Sequence, residues 1–212
     1  MDMRNDLLLQ RPEPAATRQL LLLFHGVGSS AEDLRPLGEA LAAQRPQACV
    51  VSVHSPDRSD LGQGWQWFSV RGVTEADRPA RVAAAMPRFV ETVRTWQGES
   101  GVGPRGTTLI GFSQGAIMAL ESTQQPEPVA GRVIALAGRF ARPPRVAPPQ
   151  VALHLLHGDQ DRVMPPALAD DAVRQWRALG GSASLDAFTG LGHGIDGRVV
   201  RRVAEHLGAN PS

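Results

Sequence analysis

The run Thr107-Thr108-Leu109-Ile110-Gly111-Phe112 leads directly into Ser113-Gln114-Gly115, so that Gly111 to Gly115 read G-x-S-x-G. Few short patterns restrict a chain as much. The residues before it have the character of a buried strand, and Gln114 to Ser122 that of a helix, which places the serine on a strand-to-helix turn. In such a turn the serine takes unfavourable backbone angles, and the residues two before and two after it have no room for a side chain. Gly111 and Gly115 meet that requirement. The turn lifts Ser113 above the strand ends and leaves the Gln114 N–H at a helix N-terminus, where it can face a developing oxyanion. A tightened connection with Ser113 as a mere N-cap is the alternative, and the pentapeptide alone leaves both open.

A hydroxyl is a poor nucleophile without a base to take its proton, so the catalytic reading requires a histidine and an acid to orient it. In this kind of fold they follow in the order acid, then histidine. His157-Gly158-Asp159-Gln160-Asp161-Arg162-Val163 comes straight after an apolar strand and offers two aspartates. Asp159, beside a glycine, suits a turn in which it bonds its own backbone, and Asp161 is the candidate acid. Gly192-His193-Gly194 lies on a loop between the last short strand and the closing helix, and His193 alone of the six histidines has the required order and place. His154 and His157 form H-x-x-H, but residues three apart on a strand point to opposite faces, so they share no metal. For His157 a structural hydrogen bond at the strand end is expected.

Acyl transfer also needs a second backbone donor, supplied from the loop after the first central strand. That loop is His25-Gly26-Val27-Gly28-Ser29-Ser30, and Val27 is the candidate donor. The glycines do not form a phosphate loop, since neither G-x-G-x-x-G nor a following lysine-serine pair is present. His54 to Val73 has no helical or strand period and reads as a long aromatic loop, of a length that is usually functional. Its Trp65, Trp67 and Phe68, with Met164, are candidates for the substrate pocket, and packing is the alternative role.

Along the whole chain strands alternate with helices. Strands are expected at Gln19 to Phe24, Cys49 to Val53, Thr107 to Phe112, Arg132 to Ala137, Val151 to Leu156 and Leu185 to Phe188. Helices are expected after Ser30, over Ala80 to Trp96, Gln114 to Ser122, Ala167 to Leu179 and Val199 to Leu207. The segment before Gln19 reads as a polar, proline-bearing start. This alternation predicts an α/β fold with a mostly parallel central sheet, helices on both faces and ligands at the carboxyl ends of the strands. At 212 residues it is expected to form one domain, 1–212, with its core over about 20–207. The 22 basic residues against 21 acidic ones give a net charge of +1, which argues against a nucleic-acid partner. Cys49 is the lone cysteine and cannot form an internal disulfide. Leu7-Leu8-Leu9 is too short for a signal core or a membrane span, so stable membrane insertion is not expected and a cytoplasmic location is.

With these motifs assembled, the chain resembles the phospholipase/carboxylesterase family of small α/β-hydrolases, relatives of the acyl-protein thioesterases. The resemblance runs from about Leu20 to Leu207. It is carried by Leu23-Phe24-His25-Gly26-Val27-Gly28, Trp67-Phe68-Ser69-Val70, Gly111-Phe112-Ser113-Gln114-Gly115-Ala116, Leu156-His157-Gly158-Asp159-Gln160-Asp161-Arg162-Val163-Met164-Pro165 and Leu191-Gly192-His193-Gly194-Ile195. It implies Ser113, Asp161 and His193 as a catalytic triad, Val27 and Gln114 as oxyanion donors, no metal, no cofactor and no large lid. It also implies a small-molecule ester of short chain as substrate, with a thioesterase, a lysophospholipase or a peroxide-using perhydrolase as enzyme alternatives. A non-catalytic binding protein on the same fold is the alternative of another class. Members of the family often pair, which makes a homodimer the oligomer to test. Two departures stand out. Ser69 stands where acyl-protein thioesterases carry an acid after Trp-Phe, and Arg162 and Met164 replace residues that are commonly proline or valine.

Overall fold

The computed structural model describes residues 5–208; the ends of the expected 1–212 domain, 1–4 and 209–212, lie outside the described residues. Seven strands form one sheet: β1 (Leu7–Gln10), β2 (Gln19–Phe24), β3 (Ala48–Val53), β6 (Thr107–Phe112), β7 (Arg132–Leu136), β8 (Ala152–Gly158) and β9 (Ser182–Phe188), in the spatial order β1-β3-β2-β6-β7-β8-β9. Every neighbouring pair is parallel except β1 with β3. A separate antiparallel pair, β4 (Asp57–Arg58) and β5 (Trp65–Gln66), lies within the long aromatic segment. The helices are α1 (Arg35–Gln44), α2 (Arg78–Ser100), α3 (Gln114–Ser122), α4 (Ala167–Ala178) and α5 (Gly197–Gly208).

The two-residue alternation of strand side chains divides the core between the faces of the sheet. From β2, Leu20, Leu22 and Phe24 join one cluster with Phe89 and Trp96 of α2, Met118 of α3 and Trp176 of α4. Leu21 and Leu23 face the other way and pack with Leu37 and Leu41 of α1 and Val199, Val203 and Leu207 of α5. Strands buried on both sides need near-continuous apolar sequence, which is what β2, β3, β6 and β7 have. No separate lid domain interrupts the chain among the described residues, and none of their helices is long and apolar enough to cross a membrane.

Several boundaries differ from the sequence reading. The polar-looking start contains β1, a four-residue edge strand with a bulge between Leu8 and Gln10. Leu9 packs into the second core, and α1 receives it at Gly38, where a Cβ would stand 2.2 Å from Leu9 Cδ1. Gln10 adds hydrogen bonds from Nε2 to the Arg45 and Ala48 carbonyls. Helix α2 runs through Gly98 and stops at Gly101, whose φ of 70° is the left-handed cap that favours glycine. Ser30 and Asp33 do form a reciprocal cap, but the first turn after it is a 3₁₀ turn and α1 proper begins at Arg35. Strand β8 extends through His157 and Gly158, and β9 begins at Ser182.

On the α5 side of the sheet, His154 of β8 stacks on His206 of α5 with ring centroids 4.0 Å apart. Its Nδ1 lies 2.8 Å from Ser184 Oγ, while His206 Nε2 and Arg202 Nε reach the Asp186 carboxylate at 2.6 and 3.1 Å. Burial pushes His154 down to about 4, with the electrostatic influence of His206 and Arg132 acting in the same direction and that of Asp186 against it.

Three stability measurements test this architecture. Phe24 is fully buried against Trp67 and Phe89, so Phe24→Ala is expected to cost about 3–5 kcal/mol in urea unfolding. Leu8, 44% exposed on the edge strand, should change stability by less than about 0.5 kcal/mol when replaced by alanine. Between the ordinary histidine value and about 4, the unfolded chain binds a proton that folded His154 refuses. Stability should therefore decline as pH falls through that window and level off below it, and His154→Gln should flatten the decline measured by urea midpoints from pH 7 to pH 4.

Candidate active site

Ser113 sits between β6 and α3 with φ 52° and ψ −113°, a conformation that costs a non-glycine residue on the order of 1–3 kcal/mol. The two glycines that flank it are there for space. A Cβ on Gly111 would stand 2.4 Å from the Gly115 carbonyl oxygen, and one on Gly115 would stand 2.1 Å from the Phe24 oxygen and 2.7 Å from the His25 oxygen. The start of α3 thus rests directly on the carboxyl end of β2.

From this turn the Ser113 Oγ lies 2.9 Å from His193 Nε2, and His193 Nδ1 lies 2.7 Å from Asp161 Oδ2. Ser113 and Asp161 are buried, and His193 is half-buried. The other carboxylate oxygen, Oδ1, accepts from the Val163 and Met164 N–H groups at 2.9 and 2.8 Å. Burial by itself would raise the Asp161 carboxyl; the N–H groups of Met164 and Val163 and the His193 ring hold it below its ordinary value. An ionised carboxylate can only accept, so it keeps the His193 proton on Nδ1 and leaves Nε2 bare toward the serine hydroxyl. Such a chain of contacts can draw the proton from Oγ as the oxygen attacks.

Two strand-end loops set the height of His193. Gln160 N–H donates to the Leu191 carbonyl at 3.0 Å, and a Cβ on Gly158 would lie 2.2 Å from the Leu191 oxygen and 2.6 Å from the Gly192 oxygen. Gly158 is therefore the point at which the histidine-bearing loop rests on the acid-bearing one. Asp159, expected to bond its own turn, instead accepts from the Gly190 N–H at 2.8 Å and ties the same two loops together. The Phe112 ring packs against the His193 imidazole with centroids 5.0 Å apart.

On the other side of Ser113, a Cβ on Gly26 would stand 3.2 Å from the Ser113 Cβ, which places the Gly26-Val27 peptide beside the serine. His25 orients that peptide. Its Nε2 accepts from the Ser55 N–H at 3.2 Å, which puts the ring proton on Nδ1, and Nδ1 donates to the Gly26 carbonyl at 2.7 Å. Burial pushes His25 down to about 4, keeping this neutral form at neutral pH. Because a trans peptide holds its C=O and N–H on opposite sides, fixing the Gly26 carbonyl also fixes the direction of the Val27 N–H.

The Gln114 backbone opens α3, while its side chain bonds a distant segment that no sequence pattern links to it. Oε1 accepts from the Trp67 N–H at 2.7 Å, and Nε2 donates to the Phe68 carbonyl at 2.8 Å. The Trp67 indole N–H adds a bond to the His25 carbonyl at 2.8 Å. Trp67 and Phe68 are core residues that brace this side of the site, and Trp65 is half-buried against His54 and the Arg58 guanidinium. Trp67 and Phe68 also line a cavity of about 300 Å³ with Pro56, Ser69, Ala85 and Phe89, but Trp65, Met164, Ser113 and His193 do not line it. Met164 contributes its backbone to the acid loop. These pairings join residues tens of positions apart through single side chains, so no periodicity announces them. No group of three or more His, Cys, Asp or Glu side chains able to hold a metal ion occurs among the described residues.

The profile of the phospholipase/carboxylesterase family matches residues 9–210. Esterase YpfH of Escherichia coli is 47% identical over 200 residues, covering 94% of this chain and 86% of its own length. Acyl-protein thioesterase 1 of Kluyveromyces lactis is 27% identical over 203 residues, 86% of this chain and 87% of its own. Among solved structures, that of esterase PE8 superimposes with a TM-score of 0.84 at 30% identity, over 93% of this chain and 95% of that one. The Bacillus cereus carboxylesterase shares the fold with a TM-score of 0.80 at 16% identity, over 96% of this chain and 92% of that one. With seven strands in this order, a serine at the strand-to-helix turn and a family match over nearly its whole length, the chain belongs to the phospholipase/carboxylesterase family of α/β-hydrolases.

Proposed function

We propose that this protein hydrolyses carboxylic esters through an acyl-enzyme on Ser113, with His193 as general base and then acid and Asp161 as its orienting carboxylate. The observation that carries the reading is the continuous path from Ser113 Oγ to His193 Nε2 at 2.9 Å and from His193 Nδ1 to Asp161 Oδ2 at 2.7 Å. In the first half-reaction Oγ adds to the ester carbonyl as its proton passes to Nε2, and the carbonyl oxygen takes the negative charge. The N–H groups of Gln114 and Val27 receive that oxyanion. Collapse expels the alcohol, which leaves with the proton from His193. Water then repeats the sequence on the acyl group and frees Ser113.

Short-chain esters fit best. Trp67 and Phe68 of the long segment are committed to packing and to the Gln114 clamp, and the cavity they line includes neither Ser113 nor His193, so it offers no acyl groove at the nucleophile. A thioesterase reading has one observation in its favour. Ser69 donates to Asp60 Oδ2 at 2.6 Å, and the same oxygen accepts from the Val70 and Arg71 N–H groups. Asp60 thereby brings a carboxylate to the neighbourhood where the thioesterase relatives are expected to carry one after Trp-Phe.

Two variants test the scheme. Ser113→Ala is expected to lower kcat on p-nitrophenyl acetate by on the order of 10⁴-fold or more and to abolish labelling by a fluorophosphonate, with the unfolding midpoint retained. Labelling that survives in this variant would sink the assignment, and a wild-type protein that neither labels nor turns over would support a binding role. Esters and thioesters of increasing acyl length, compared by kcat/KM, then separate the two substrate readings. Gly158→Ala should lift the Leu191 to His193 segment off the acid loop. A shift of about 1 Å in such a group lowers rate by on the order of 100-fold, so kcat should fall by that factor, and the downfield proton resonance of His193 Nδ1–H should weaken or move. An unchanged kcat and resonance would show that this contact does not set the histidine.

A further inference from the structure

A second imidazole touches the carboxylate proposed as the acid. His157, at the end of β8, is 3% exposed, and its Nε2 lies 2.7 Å from the Met164 carbonyl oxygen. A carbonyl can only accept, so Nε2 carries the ring proton. The same Nε2 is 3.3 Å from Asp161 Oδ2, the oxygen that His193 Nδ1 approaches to 2.7 Å. Across the ring, Nδ1 is buried without a hydrogen-bond partner among the described residues. An unmatched buried polar atom is destabilising, and an apolar ring would fill the space without that cost. Packing therefore does not account for an imidazole here, whereas its Nε2–H side does.

We infer that His157 is a positioning residue for Asp161, its Nε2–H shared between the Met164 carbonyl and the carboxylate oxygen that His193 uses. Met164 is held at both ends by this arrangement, its N–H on Asp161 Oδ1 and its C=O on His157 Nε2. The carboxylate is thus kept from rotating. With a second donor on Oδ2, part of its charge is directed away from His193, which lowers the basicity of the His193 ring. The ionisable groups that meet the His157 ring in this arrangement are Asp161 and, through it, His193. The inference rests on the acid role proposed above for Asp161.

The test compares His157→Phe, which keeps a ring and loses the donor, with His157→Gln, which keeps a donor and does not titrate. Both are assayed as the full chain on p-nitrophenyl acetate across pH, beside Ser113→Ala. The phenylalanine variant should lose about tenfold in kcat, the worth of one hydrogen bond to a charged group, with KM within about twofold. Its acid limb of kcat/KM should move to higher pH, because His193 becomes more basic when Asp161 loses the second donor. Glutamine should restore kcat to within about threefold and return the limb to its wild-type place. An unchanged kcat and limb in His157→Phe, or equal losses in both variants with the limb unmoved, would overturn the inference. If the phenylalanine variant does not fold, nitrogen NMR of histidine-labelled wild-type and Asp161→Asn protein decides: a His157 Nε2 resonance that shifts when Asp161 is replaced supports the inference, and one that is identical in the two proteins, or a ring protonated on Nδ1, overturns it. Turnover retained in Ser113→Ala would instead remove the triad reading itself, so the two failures are distinguishable.

Discussion

The first turn of α3 lies so close to the end of β2 that the space beside Gly115 is filled by the Phe24 and His25 carbonyls. This backbone-on-backbone contact decides the geometry of the upper edge of the sheet. It holds the start of α3 against the β2 loop, so the two segments proposed to supply the oxyanion donors meet beside Ser113 before any substrate arrives. It also places the Gln114 side chain where it can bond the Trp67 N–H and the Phe68 carbonyl, which helps anchor a long segment whose regular structure is limited to the short β4-β5 ribbon and a bridge from Trp65 to Ser29. A side chain at position 115 would separate all three.

The polar groups near the serine are held mainly by backbone partners, and this has a physical reason. A buried carboxylate or imidazole left unpaired costs several kcal/mol, and flexible side-chain partners would add conformational entropy to that cost. Asp161 receives two N–H groups from its own loop, and His25 is bonded to one N–H and one carbonyl. Neutral His25 and ionised Asp161 thus coexist within one small region, each fixed in its charge state by geometry. The loops can be short because each rests on a neighbouring strand end.

Much of this could be read without coordinates, for reasons that depend on the element. Strands buried on both faces must be nearly all apolar, so β2, β6 and β7 stand out in the sequence, and a strand-to-helix serine turn needs its glycines whatever else surrounds it. Order and loop position mark Ser113, Asp161 and His193 in the sequence, and in the fold the three stand in hydrogen-bond contact. Strand β1 escaped because four residues are too few to display a period and its pairing is with a strand some forty positions away. The strands of the ribbon in the aromatic segment, two residues each, are shorter still. His157, Gln114 and Asp159 were visible as residues, but their partners are chosen by the packing of loops, and hydrophobic patterning carries no information about that. The same limit applies to Trp67, whose indole N–H bonds the His25 carbonyl while its ring lines a cavity.

The strain at Ser113 is held by the sheet itself. Ser113 and Ala137 are the two non-glycine residues with positive φ among those described, and each stands one position past the end of its strand, on neighbouring strands β6 and β7. Ser113 N–H donates to the Leu136 carbonyl at 2.9 Å, and Ala137 N–H donates to the Leu156 carbonyl at 2.9 Å. Both bonds continue the parallel ladder by one rung beyond the regular strand. Relaxing φ at Ser113 would turn this N–H away from Leu136 and leave a buried carbonyl short of a donor, at a cost comparable to the strain relieved. The ladder and the strained turn therefore hold each other in place, which is how a small rigid sheet can present a serine hydroxyl at a fixed height without a ligand to organise it.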